Sequence, residues 1–263
     1  MLEIFGFVGA ILIGVVLGLI GGGGSILTVP IFVYIIGIEP VLATAYSLFV
    51  VGITALVGAL RNAFQGTIDF KAGVIFAIPA FIGVYITRQF LMPSIPQILV
   101  TVADFQLMKN TGIMLFFAVI MFLAAYFMIK SSRSSHNEEV EAKYNYFKII
   151  IESLIVGVIT GLVGAGGGFL IIPALVLLAK LSIKTAIGTS LFIIAAKSLL
   201  GFLGDIQNLT IDWSFLLAFS LLSIMGIFVG LFLNTIIDGN KLKESFGWFV
   251  LTMAFFMLLL ELI

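Results

Sequence analysis

The chain has no cysteine and a single histidine. Disulfides, thiolate nucleophiles and thiolate metal sites are therefore excluded, and His136 stands alone in a polar stretch. Charge is almost as scarce. Only 10% of the 263 residues are charged while 62% are hydrophobic, too few charges to cover the apolar surface of a water-soluble globule. Thirteen basic residues offset thirteen acidic ones, which leaves no basic excess for a nucleic-acid partner. Glu3, Glu39, Glu152 and Glu261 fall near the ends of apolar stretches, so no central carboxylate is offered for a proton relay. An enzymatic site would have to be built from Ser47, Ser190 or Lys197 with no motif setting a base beside them. The expectation is a protein that is not an enzyme and needs neither metal nor cofactor.

What is abundant is apolar length. Stretches of about twenty residues recur along the chain, the length a helix needs to cross a hydrocarbon core of about 30 Å, and lipid is the implied solvent. The expected fold is an all-α polytopic membrane protein. The N-terminus, MLEIFGFVGAILIGVVLGLIGGGG, lacks the basic region of a signal peptide and carries Glu3, so it is read as part of the mature structure.

An offset of 143 residues aligns GLIGGGGSILTVP (Gly18 to Pro30) with GLVGAGGGFLIIP (Gly161 to Pro173) without a gap. The same offset pairs Ser47, Leu48 and Phe49 with Ser190, Leu191 and Phe192, Gly58 with Gly201, Asp69 with Asp212 and Gly83 with Gly226. The chain divides into a first repeat (1–130), a polar linker (131–147) and a second repeat (148–263). Each repeat holds one glycine-interrupted segment, 4–37 or 148–180, followed by three ordinary spans. These are expected near 41–61, 70–90 and 112–130, and again near 183–204, 212–236 and 244–262. Residues 91–111 are the main asymmetry between the repeats.

The basic residues discriminate between two topologies. If the glycine segment crosses once, six Lys and Arg fall on each side. If it forms a hairpin, ten fall on one side and only Arg88 and Lys109 on the other. The hairpin gives the stronger positive-inside bias. It also suits arms of about 17 and 13 apolar residues, which are marginal as full spans. Two such halves lie in inverted topology, with both termini outside and the linker cytoplasmic.

Irregular backbone at membrane depth has to be buried in protein or face a cavity. Gly21, Gly22, Gly23, Gly24 and Ser25, with Gly164, Ala165, Gly166, Gly167 and Gly168, are thus the candidate substrate site. Glycines let backbone approach a ligand, and the amides opening the following helix favour an anion. Tight helix packing is the alternative use of such glycines. Inverted repeats would bring both tips to one centre.

These motifs, each followed by a Ser-Leu-Phe segment (AYSLF and GTSLF), resemble the two repeats of the TauE/SafE family of sulfite exporters, also called TSUP transporters. The resemblance spans essentially the whole chain. It implies a transporter in a bacterial inner membrane that moves sulfite, thiosulfate, sulfonates or related organic anions, with export the expected direction. The partners implied are a small anion and the bilayer, and no oligomeric state follows. Ala165 replaces a tip glycine, Gly168 stands where the first repeat has Ser25, and Thr189 pairs with Tyr46.

Ser47, Ser190, Thr189 and Lys197 complete the candidate site. The hydroxyls are able to bond anion oxygens or neighbouring helices. Lys197 pairs with Thr54 and either meets the anion or snorkels to the interface. Arg61 reads as an interfacial anchor. Asp69 and Asp212 read as helix N-caps.

Overall fold

The structure is a computed structural model that describes residues 2–102, 105–132, 146–236 and 239–262. In the first half the helices are α1 (Leu2–Ile20), α2 (Gly22–Ile36), α3 (Pro40–Phe64), α4 (Phe70–Ser94) and α5 (Lys109–Ser132). In the second they are α6 (Tyr146–Val163), α7 (Gly168–Leu178), α8 (Ile183–Ile206), α9 (Trp213–Leu233) and α10 (Gly239–Leu262). Among the described residues, six helices are long and apolar enough to cross a membrane. The protein is a polytopic, helical membrane protein. One short antiparallel pair, β1 (Ile98–Val102) with β2 (Phe105–Met108), departs from pure helix and occupies the stretch that distinguishes the halves. Residues 133–145 of the expected linker, His136 included, lie outside the described residues.

The caps follow from the sequence. The Asp69 carboxylate accepts a hydrogen bond from the Ala72 amide at 2.9 Å, and Asp212 accepts one from Phe215 at 3.1 Å, relieving amides that the first helical turn leaves unpaired. Pro40 opens α3, where its missing N–H costs nothing. Several helices outrun the expected spans. α4 continues to Ser94 rather than stopping near 90, and α8 reaches Ile206 rather than 204. Residues assigned to the interface are thereby carried into the protein.

Along α4, Val74, Ile78, Ile82 and Ile86 form an exposed stripe, and along α9 the residues 143 positions later, Leu217, Leu221, Met225 and Val229, do the same. Apolar ridges of this length are stable against lipid rather than water.

Contacts cross between the halves. α1 packs along α9, and α6 packs along α4. Small residues make this possible: a β-carbon placed on Gly14 would stand 1.9 Å from the Ser223 carbonyl oxygen, and one on Gly157 would stand 2.3 Å from that of Ala80. Helices in lipid gain association from such close backbone approach. α3 lies against its own counterpart α8. Gly52 meets Leu199, while Gly188 meets Asn62 and Thr67, so these two helices run antiparallel. α2 turns back on α1, with Gly24 against Leu17, Gly9 against Ile31 and Gly6 against Ile36.

Candidate functional site

Both glycine segments leave helical geometry. Gly21 (φ 72°), Gly164 (φ 73°) and Gly167 (φ 67°) have positive φ, a region that penalises any side chain with a β-carbon. After Gly21 the chain winds at once into a 3-10 turn, Gly22–Leu27. After Gly164 it stays irregular until Gly167 caps α7.

The two tips touch. A β-carbon on Gly22 would fall 2.2 Å from the Gly168 Cα, and one on Gly166 would fall 3.0 Å from the Ser25 Cβ. All of Gly21, Gly22, Gly23, Gly24, Ser25, Gly164, Ala165, Gly166, Gly167 and Gly168 are buried. The Ser25 hydroxyl donates to the Gly22 carbonyl at 2.7 Å. Ser190 stands beside the first tip, its Oγ 3.1 Å from a β-carbon built on Gly21, and donates to the Ile187 carbonyl at 2.8 Å. The buried Ser47 Oγ has no hydrogen-bond partner among the described residues.

Lys197 is fully buried. Its ammonium donates to Thr160 Oγ1 at 2.7 Å and stands 3.2 Å from a β-carbon built on Gly167. The second tip thus combines the amide-rich start of α7 with a cation, an arrangement complementary to an anion. Thr54, the counterpart of Lys197, donates to the Val50 carbonyl of its own helix. Thr189 is used elsewhere: its hydroxyl accepts from the Asp69 amide at 2.9 Å, as the Tyr46 hydroxyl accepts from the Asp212 amide at 2.7 Å. These paired contacts anchor the starts of α4 and α9.

Two residues escaped the sequence reading. Arg88 is 1% exposed and Asp205 3% exposed, with Arg88 Nη1 3.5 Å from Asp205 Oδ1 and donating to Thr44 Oγ1 at 3.0 Å. The inference that no carboxylate is buried is corrected by Asp205, which α8 carries inside because the helix runs past residue 204. Arg88, counted as an interfacial charge near the end of a span, is likewise internal because α4 continues one further turn. The signal was present: Asp205 is the counterpart of Asn62, a polar position already conspicuous beside Arg61.

Glycine-broken helices meeting at a buried centre inside a polytopic helical protein are an arrangement found at the sites of membrane transporters. The sequence profile described as Sulfite exporter TauE/SafE matches residues 6–257. This chain belongs to the TauE/SafE family. A probable membrane transporter protein of Xylella fastidiosa (strain Temecula1 / ATCC 700964) is 27% identical over 254 residues, covering 94% of this chain and 91% of the relative. The probable membrane transporter protein YunE of Bacillus subtilis (strain 168) is 29% identical over 228 residues, covering 81% of this chain and 82% of the relative. No solved structure matches at a significant level.

Proposed function

We propose that the protein exports a small sulfur oxyanion or organosulfonate, such as sulfite or thiosulfate, across a bacterial inner membrane, binding it where the two glycine tips meet. The observation that carries this reading is the buried Lys197 ammonium beside Gly167, at the start of α7. A positive charge on Lys197 and the helix N-terminus favour an anion, and glycines at the tips leave backbone donors unshielded by side chains. The antiparallel course of α3 and α8 supports two inverted repeats, and the ten-to-two distribution of Lys and Arg supports a cytoplasmic linker with both termini outside. A negative interior drives each unit of negative charge outward by about 2.3 kcal/mol per 100 mV, so export of an anion needs no proton relay.

The test is a thermal-shift titration of detergent-purified protein with sulfite, thiosulfate, an alkylsulfonate, sulfate and acetate, followed by flux from proteoliposomes at imposed potentials. Selective stabilisation by one sulfur anion, with efflux that rises with interior-negative potential, is expected. Stabilisation by acetate alone would reassign the protein to carboxylates, and flux indifferent to potential would remove the driving force invoked here.

A further inference from the structure

The two ends of the pathway are built from matching positions, and they differ. At the end formed by the C-terminal turns of α3 and α9 and the start of α8, a pocket of about 330 Å³ is lined by Arg61, Asn62, Thr67, Lys184, Ile187 and Asn234, among others. Its charged lining residues are both cations, and among the described residues neither is joined to a carboxylate. The pocket reaches the first tip by two walls. Ile187 lies 3.1 Å from a β-carbon built on Gly21, and the Asn234 amide donates to the carbonyl of Leu19.

The repeat offset of 143 carries Asn62 to Asp205, Ile187 to Thr44 and Leu231, also in the pocket wall, to Arg88. Those counterparts pack against one another. Arg88 donates to Thr44 and faces Asp205, and a β-carbon on Gly164 would stand 2.4 Å from the Thr44 Cα. At one end the tip therefore borders an open cationic pocket. At the other it borders a plug in which the protein's own carboxylate faces the guanidinium. The plug is loosely made: Arg88 Nε and Nη2 and Asp205 Oδ2 are buried without hydrogen-bond partners among the described residues, whereas a purely structural buried pair is held by having such groups satisfied.

We infer that the Arg61–Lys184 pocket is a recruitment site for small anions at the open mouth of the pathway, and that the Arg88–Asp205 cluster is the shut form of the same site in the other repeat. The inference rests on the tips being the transport site. It assigns to Arg61 a role in attracting the ligand that interfacial anchoring does not supply, since paired cations in a concave wall concentrate anions from solution. Exchange of the two arrangements would expose the tips to one side and then the other.

Because the chain has no cysteine, single introduced thiols report their own surroundings. Thr67→Cys probes the pocket, and Met92→Cys, at a buried position one helical turn after Arg88, probes the plug end. Purified full-length variants are treated with sulfonatoethyl methanethiosulfonate and, separately, with its trimethylammonioethyl analogue, and the two labelling rates are compared. At Thr67→Cys the anionic reagent is expected to gain by roughly tenfold relative to the cationic one, compared with the same variant carrying Arg61→Gln and Lys184→Gln. Met92→Cys should label slowly and accelerate by roughly tenfold when Asp205→Asn releases the plug, since a closed state can hide an open one populated at about 10% or less. Size-exclusion profiles and melting curves verify that each variant is folded, and Asp205→Glu, which retains the charge, should restore slow labelling.

A charge ratio at Thr67→Cys that ignores the two cations would overturn the recruitment site. Equal, fast labelling of Met92→Cys with and without Asp205→Asn would overturn the plug. Neither readout requires the true substrate. Failure of the sulfur anions to bind, with both labelling results positive, would remove the proposed substrate and leave the two-ended site standing.

Discussion

The two glycine tips share a backbone plan and part company in charge. Each begins with a positive-φ glycine, Gly21 or Gly164, and each lies against the other at Gly22 and Gly168. Yet the second tip has Lys197 beside it where the first has Thr54 bonded within its own helix. The second also stays irregular through Gly167, while the first enters a 3-10 turn immediately. Duplication conserves the left-handed turn that opens each tip, whereas the contact positions diverge, Gly22 being matched by Ala165 and Gly168 by Ser25. Electrostatics diverges with them, since only the second tip has a basic side chain against it.

The comparison breaks most visibly at Gly22. Its counterpart is Ala165, so a methyl group is tolerated at that position of the second tip. Gly22→Ala, however, would drive a β-carbon to 2.2 Å from both the Gly168 Cα and the Ile194 Cδ1. It should destabilise the protein by about 3 kcal/mol, the upper end for overpacking, whereas Ala165→Gly should cost about 1 kcal/mol or less. Thermal melting in detergent compares the two, and similar costs would mean that the tips do not touch as described.

A smaller effect sharpens the electrostatic difference. Lys197→Met should weaken anion binding by about 2 kcal/mol, the scale of a hydrogen bond to a charged group. It should not lower the melting temperature, because a buried ammonium is costly to the fold. Thr54→Val should leave anion affinity nearly unchanged. Titration calorimetry with whichever sulfur anion stabilises the protein separates the pair, and equal losses would mean that the site is not centred on the second tip.

The smallest effect concerns what the repeats hold in common. Asp69→Ala and Asp212→Ala should each cost about 1 kcal/mol by loss of an N-cap. Matching melting shifts are expected, since each cap serves a helix whose first residue is anchored to the opposite repeat.

Much of this was legible in the sequence, and for identifiable reasons. Hydropathy is additive along a helix, so the helical, membrane-spanning class followed from composition alone. The glycine runs marked breaks because few other residues tolerate φ near +70°, and both Asp caps were readable from their position before an apolar run. Thr189 was misleading. Its hydroxyl chemistry suits an anion, but its partner is the Asp69 amide, a contact 120 positions away in the chain that no local pattern announces. Arg88 and Asp205 were missed because each lies within one turn of an expected helix end, where a shift of a few residues decides between water and interior. The strand pair at 98–108 also had no strong signal, being a short insertion between helices.

The crossing of contacts between halves has a consequence for how the protein is made. α1 finds its long groove on α9, which begins at Trp213. An N-terminal helix leaving the ribosome must wait for some two hundred residues of synthesis before its partner exists. Until then Gly14 and Gly18 present a bare seam to lipid or to whatever insertion machinery shelters it. Biogenesis therefore closes at the end rather than proceeding half by half.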